Sequence, residues 1–383
     1  MRLPGGKFVH ILVALLGLLA ASTVFCPQVS HAAESPGRPV RVAYIEGGFY
    51  IDYASILVAL AQGLAELGFI EHGNVPTAER AKGTQAIWQW LCANAGGSSL
   101  EFMPDGYYSG GWNDATFAEQ HATLVARLKQ TKDIGLVLAF GTKAGQVMAV
   151  DDHHTPVVVL SATDAVTAGI VASAEDSGRD HMFAMVQRNR IYREVLLFHD
   201  VFQFKKLGIA YEDSEEGRAS VALPQVQQAA KDRGFDLVTC VGTLFYDNPA
   251  RVTANLLACH ETLVSAGAEA VYMTVNNGME GGSIDMVLQP LLEARLPTFS
   301  QNGVDEVRQG LLLSISQTSF SGQGMFAASV VGNIVKGESP CAQKQIYEEP
   351  LSLALNLRTA VRIGWNPPLA VLAAVDEIFQ GIR

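Results

Sequence analysis

Lys206-Leu-Gly-Ile-Ala-Tyr211 is an aliphatic run of strand length; a helical stretch, Ser220–Arg233, and another short run, Asp236–Val241, follow it. The order is strand, helix, strand, and it continues through a helix at Pro249–Ala266, a strand at Ala268–Thr274 and a helix at Ile284–Glu293. Beyond these, Pro297–Ser300 and Leu311–Ser316 read as strands, with a short helix at Val304–Gln309 between them. Gly322–Lys336 reads as a helix rich in small apolar residues that ends at Gly337. Upstream, after Gly178, a helix is expected over Asn189–Phe202.

The same pattern has already run once before Lys206. Strands are expected at Val40–Ile45, Leu100–Met103, Ile134–Phe140 and Pro156–Leu160, and helices at Ile51–Leu67, Asp114–Gln130 and Lys143–Val150. Two such series imply an α/β fold of two Rossmann-like lobes, each built on a parallel sheet. A cleft is then expected between the carboxyl ends of the two sets of strands, where open α/β sheets bind ligands.

Residues 1–32 read as a secretion signal. Arg2 and Lys7 form a basic start, Phe8 to Phe25 an apolar run, and Ser30-His31-Ala32 a cleavage site of the small-x-small kind. Phe25 is too bulky to precede a lipid-modified Cys26, so cleavage near Ala32 and a periplasmic protein are expected. Removing residues 1–32 takes two of the 27 basic side chains and none of the 38 acidic ones, which moves the formal charge from −11 to −13. Nucleic acid is excluded as a partner by that charge.

Four cysteines remain: Cys92, Cys240, Cys259 and Cys341. An oxidising compartment permits two disulfides in three pairings, of which Cys240 to Cys259 is the most local; the competing reading is four buried thiols. No G-x-S-x-G elbow, H-E-x-x-H helix, Walker loop or G-x-G-x-x-G fingerprint occurs. His72, His121, His153, His154, His181, His199 and His260 are scattered without ligand spacing. A binding protein is therefore expected, not an enzyme, with no cofactor and no metal.

Several blocks, in order, resemble the type I periplasmic binding proteins of ABC transporters, in the branch related to the tryptophan and tyrosine uptake proteins. They are Ala139-Phe140-Gly141-Thr142-Lys143-Ala144-Gly145-Gln146, then Pro156 to Gly169 with Ser161, Thr163 and Asp164, then Leu207–Tyr211 with Ser214 and Ser220. Pro297 to Gln301, Gly310-Leu-Leu312 and Leu353 to Gly364 complete the series. The resemblance implies lobes of residues 33–163 plus 301–320 and 164–300 plus 321–383. A three-segment hinge would lie near Thr163–Ser177, Leu296–Gln301 and Gln317–Gly322. It also implies a protein that closes on a small molecule and delivers it to an ABC permease in the inner membrane; a monomer is the default expectation.

Candidate ligand contacts lie on the expected strand-to-helix turns. Gly48, Phe49 and Tyr50 offer close backbone approach and aromatic walls, or only a tight turn. Phe140, Gly141 and Thr142 open a helix whose free N–H groups suit a carboxylate, or Thr142 merely caps it. Lys143 departs from the small or apolar residue expected there. Asp164, after Ser161 and Thr163, faces a substrate ammonium or caps its own turn. Tyr211, Ser214, Asn276 and Asn277 are the second lobe's counterparts, and Gln301 and Asn302 lie on the return segment.

The stretch 73–113 is longer than the family pattern and holds Trp88, Trp90, Phe102, Tyr107, Tyr108 and Trp112. It either caps the cleft or packs on itself. An aromatic or other amino acid is the ligand the resemblance implies. The aromatic stretch and the lack of arginine in the cleft turns favour instead a larger apolar solute, lipid or sterol-like. A third reading makes the chain a ligand-sensing subunit of a membrane receptor.

Overall fold

The computed structural model describes residues 38–279, 283–316, 320–348 and 352–380; the expected signal at 1–32 lies outside the described residues. The first lobe begins with β1 (Val40–Glu46), α1 (Ile51–Glu66), α2 (Thr77–Arg80), α3 (Thr84–Asn94), β2 (Leu100–Ser109), α4 (Asp114–Gln130), β3 (Leu136–Phe140), α5 (Gly141–Met148), β4 (Val157–Leu160) and β5 (Met182–Ala184). The second holds α6 (Arg190–Phe202), β6 (Lys206–Tyr211), α7 (Glu215–Ser220), α8 (Leu223–Arg233), β7 (Asp236–Val241), α9 (Pro249–Ser265), β8 (Ala270–Met273), α10 (Ile284–Glu293), β9 (Thr298–Ser300), α11 (Val304–Gln309) and β10 (Leu313–Ser316). After these come α12 (Ser321–Val335), a 3-10 turn at Pro340–Ala342, β11 (Ser352–Asn356), α13 (Leu357–Ile363), α14 (Leu369–Ala374) and β12 (Glu377–Phe379).

The first sheet runs β2-β1-β3-β4-β5, all parallel. The second runs β12-β11-β10-β9-β8-β6-β7 and is parallel except where β10 meets β11. In β1, Val42 and Tyr44 pack on the α1 side, while Ala43 and Ile45 pack with α4 and α5. Both faces are covered, which is why the strands read as unbroken apolar runs.

Lobe membership differs from the expected division at three places. β5 pairs with β4 (Val157↔Met182), so residues 164–184 stay with the first lobe. α11 and β10 belong to the second, since β10 pairs with β9 and β11. α12 returns to the first lobe and lies along α1, because their facing residues are small. A Cβ on Gly324 would come within 2.3 Å of the Ala59 backbone, and one on Gly63 within 2.8 Å of Ala328.

The chain passes between the lobes after β5, again between β10 and α12, and a third time between Tyr347 and β11. Residues 163–177 are a loop within the first lobe and β9 is a strand of the second, so neither is a crossing. The expected segment at 317–322 coincides with the second crossing, and its residues 317–319 lie outside the described ones.

The aromatic stretch 73–113 is mostly lobe interior. It supplies the edge strand β2; Trp88, Phe102 and Tyr108 are buried, and the Trp88 indole N–H donates to the Met103 carbonyl at 2.9 Å. At its end, Trp112 and Asn113 reach the other lobe, against Phe245 and Asp247. Cys240 and Cys259 form a disulfide between β7 and α9, and Cys92 is free and half-buried. No helix of the described residues is long and apolar enough to cross a membrane.

Candidate ligand cleft

The turn that follows β1 is held from beneath by Glu46. Its buried carboxyl accepts hydrogen bonds from the hydroxyls of Tyr44 (2.6 Å), Tyr107 (2.8 Å), Ser109 (2.9 Å) and Thr84 (3.0 Å). Burial pushes this carboxyl's pKa up, and the hydroxyls pull it back. With β1 ended so firmly, Gly47 and Gly48 lead the chain to Phe49 and Tyr50. Gly48 has to be glycine, because a Cβ there would lie 2.5 Å from the Trp112 backbone nitrogen. Trp112, at φ 60°, is fixed by its N–H to the Gly47 carbonyl (3.0 Å) and by its indole N–H to the Phe49 carbonyl (2.8 Å).

A cavity of about 560 Å³ opens between the lobes at the carboxyl ends of their strands. One wall is aromatic: Phe49, Tyr50 and Trp112 from the first lobe, Phe245 from the second, and Phe320 at a crossing. Trp112 packs at a tilt against Phe245, and Tyr50 meets Phe245 edge-on at 6.3 Å between ring centroids.

The polar end of the cavity is built around Arg190 and Asp52. Arg190 opens α6; one guanidinium N–H reaches the Gln301 carbonyl at 3.5 Å and lies 3.5 Å from Glu194, while Nε is buried without a hydrogen bond. Asp52 stands in the first turn of α1, half-buried, and lines the cavity. Burial pushes its pKa up to about 7, Arg190 opposes that, and Asp305 adds to it. Glu306 and Glu194 behave alike: burial raises each to about 7, against hydrogen bonds from Ser300 and Asn302 in one case and the Arg190 charge and the Tyr272 hydroxyl in the other. The Arg190 charge thus helps to ionise Asp52 and Glu194.

Of the residues expected from sequence, Phe49, Tyr50, Thr142, Ser161, Thr163, Asn276, Gln301 and Asn302 line the cavity. Several of these have their side chains already engaged: Asn302 donates to Glu306 at 2.6 Å, and the Thr142 hydroxyl accepts from the Thr163 N–H at 3.4 Å. Asn276 Oδ1 accepts from the Gly278 and Met279 N–H groups, and Gln301 bridges the Val275 N–H and the Ser220 carbonyl.

Seven others lie outside the lining. Gly48 sits under Trp112, Phe140 is core, and Gly141, at φ 88°, lies beneath the Tyr53 hydroxyl. Tyr211 packs against the second lobe's core and Ser214 caps α7 through the Gly217 N–H. Asn277 pairs with the Tyr246 backbone. Asp164 accepts from the Thr167 N–H and hydroxyl and, across the lobes, from Gln225 at 2.7 Å.

Sequence reasoning passed over Asp52 and Arg190, and with Arg190 in the cleft the supposed lack of arginine there does not hold. Lys143 bridges the lobes, with Asp114 at 2.6 Å on its own side and Glu216 at 3.3 Å on the other. Asn113 donates to Asp247 of the second lobe at 2.9 Å.

Two α/β lobes of parallel sheet, crossed three times by the chain and closed over a solute-sized cavity, define a type I periplasmic binding protein. The chain belongs to the ABC transporter substrate binding protein family, whose sequence profile matches residues 111–378. It is similar in fold to a conserved domain protein from Vibrio cholerae O1 biovar eltor (TM-score 0.64, 20% identity, 89% of this chain and 100% of that one). It is also similar to the ABC domain from Streptococcus pneumonia in complex with L-Trp (0.62, 16%, 88% and 100%). A third likeness is to the ligand-free, open form of a substrate binding protein with adhesive properties from Clostridium difficile (0.55, 15%, 89% and 100%). No curated protein matches the chain. Its function is solute capture for an ABC transporter.

Proposed function

We propose that the captured solute is an amino acid with an aromatic side chain, held with its carboxylate on Arg190 and its ammonium on Asp52. The observation that carries this is the pair itself: a guanidinium with an unpaired Nε and a carboxylate accepting no hydrogen bond from a described residue, facing one cavity. A zwitterion satisfies both through charge-assisted hydrogen bonds, and Tyr50, Trp112 and Phe245 give its ring a slot. The L-Trp bound by the pneumococcal neighbour has that chemistry. Ligand contact with both lobes stabilises the closed form, which is then presented to an inner-membrane permease. The leader-like segment 1–32 and the extracytoplasmic character of the family support a periplasmic location, and a monomer suffices for the cleft.

Calorimetric titration with L-tryptophan, tryptamine and indole-3-propionate tests the ligand. The amino acid is expected to bind at least about tenfold more tightly than either analogue, each of which leaves one half-buried charge without a ligand partner. Equal affinity for an analogue overturns the assignment of the charge it lacks. The second reading, a larger apolar solute, is favoured by the aromatic wall and the cavity's size; such a solute would bind without regard to Arg190.

A further inference from the structure

At the opposite ends of β4 and β5, away from the cleft, three imidazoles and a carboxylate converge. The parallel pairing of Val157 with Met182 sets the residues just before each strand side by side. That pairing brings His153 and His154, from the loop after α5, against Asp180 and His181, from the turn before β5. His154, Asp180 and His181 each offer a ligand atom within 4.8 Å of the other two. Asp180 Oδ1 is 3.1 Å from His181 Nδ1 and 3.8 Å from His154 Nδ1. Ligand atoms around a tetrahedral ion with bonds of about 2.0–2.1 Å stand about 3.3 Å apart.

We propose that His154, Asp180 and His181 bind one divalent transition-metal ion of the zinc class. An ordinary Asp–His hydrogen bond would explain one nitrogen of His181 and nothing else. His181 is 1% exposed, and its Nε2 is buried with no hydrogen-bond partner. His153, 4% exposed, packs edge-on against it at 5.0 Å between ring centroids, and its Nε2 has no partner either. The short approaches to Asp180 are made by the Nδ1 atoms of His154 and His181, so an ion held there takes the His181 Nδ1 lone pair and leaves Nε2 as the protonated nitrogen. The donor set is two nitrogens and one oxygen, which suits Zn²⁺, Co²⁺, Ni²⁺ or Cu²⁺ and not the all-oxygen ions Mg²⁺ and Ca²⁺.

His154 keeps 70% of its side chain exposed, so the ion has a path in and a solvent-facing position for water. Bound there, it ties the loop before β4 to the turn before β5. The Asp180 carbonyl already anchors that turn to the Ser339 hydroxyl at 2.9 Å. The ion would lie a strand's length from the solute, so it clamps the first lobe without touching the cleft.

The test uses tag-free mature protein treated with chelator. Titration with Co²⁺ is expected to give saturable visible bands at one ion per chain, displaced by Zn²⁺ and accompanied by a higher melting temperature. In His154→Ala, an exposed change that leaves the chelated protein's melting unaltered, and in Asp180→Asn, affinity is expected to fall at least about tenfold. His72→Ala, on a separate exposed loop, serves as the control. No saturable binding to the parent protein, or binding of unchanged affinity in His154→Ala and Asp180→Asn, overturns the proposal.

Discussion

Trp112 of the first lobe lies against Phe245 of the second with ring centroids 4.5 Å apart and 32° between the planes. The indole is fastened to its own lobe through the Phe49 carbonyl, so this contact joins two separately anchored surfaces. Beside it, Asn113 reaches Asp247 and Lys143 reaches Glu216. The mouth of the cleft is therefore closed by an aromatic pair flanked by polar bridges. A solute ring entering there gains contact area from both lobes at once.

Trp112→Ala removes that area while leaving the core of the first lobe in place. Solute affinity is expected to fall by about 1–3 kcal/mol, read by calorimetry alongside an unchanged far-ultraviolet dichroism spectrum. Unaltered affinity would show that the ring of the solute lies elsewhere.

Arg190→Gln removes the cavity's half-buried guanidinium and leaves a bound carboxylate without its charge partner. The expected cost is roughly 2–5 kcal/mol of binding. Tryptamine, which has no carboxylate, is expected to lose far less in the same variant, and a matching loss for both ligands argues against the assigned pose.

The pH dependence follows from Asp52, Glu194 and Glu306, whose pKa values burial raises to about 7. A carboxyl raised above its unfolded value of about 4 binds more protons folded than unfolded between those limits, so its ionisation lowers stability as pH rises. The ligand-free protein is expected to melt at a higher temperature at pH 5 than at pH 8. Amino-acid binding runs the other way, strengthening as Asp52 ionises through about pH 7. Melting curves with and without ligand from pH 5 to 8 check both slopes. Parallel curves would remove Asp52 from the site.

Gly324→Val tests whether α12 belongs to the first lobe. The added side chain meets the Ala59 backbone, and overpacking of this kind costs about 1–3 kcal/mol or more. Urea denaturation is expected to show that loss, whereas a neutral result would mean the two helices are not in close contact.

Much of this fold was readable from sequence because its elements carry their own boundaries. Asp114–Gln130 begins after Asn113, whose side chain caps the Thr116 N–H, and Lys206–Tyr211 and Asp236–Val241 match β6 and β7 end to end. Lobe membership was not readable. β5 is three residues long and is a strand only by pairing with β4, and the fit of α12 to α1 depends on glycines meeting alanines across two distant segments.

The site divided in the same way. Residues on strand-end turns, such as Tyr50 and Thr142, reach the cavity because the topology sends all such turns there. Asp52 and Arg190 sit in first helical turns, where an acid or a base reads as an ordinary surface residue until the lobes close over it. Asp164 had the right chemistry, but Thr167 and Gln225 engage it. His154 and His181 are 27 positions apart, and only the β4–β5 pairing makes them neighbours.

The central claim is that a zwitterionic solute is held between Arg190 and Asp52. It is tested most directly by native mass spectrometry of protein purified from an export-competent host without denaturation. The account predicts a single adduct of amino-acid mass on the parent protein and its loss in Arg190→Gln. A lipid-sized adduct, or an adduct retained at equal occupancy in Arg190→Gln, would contradict it.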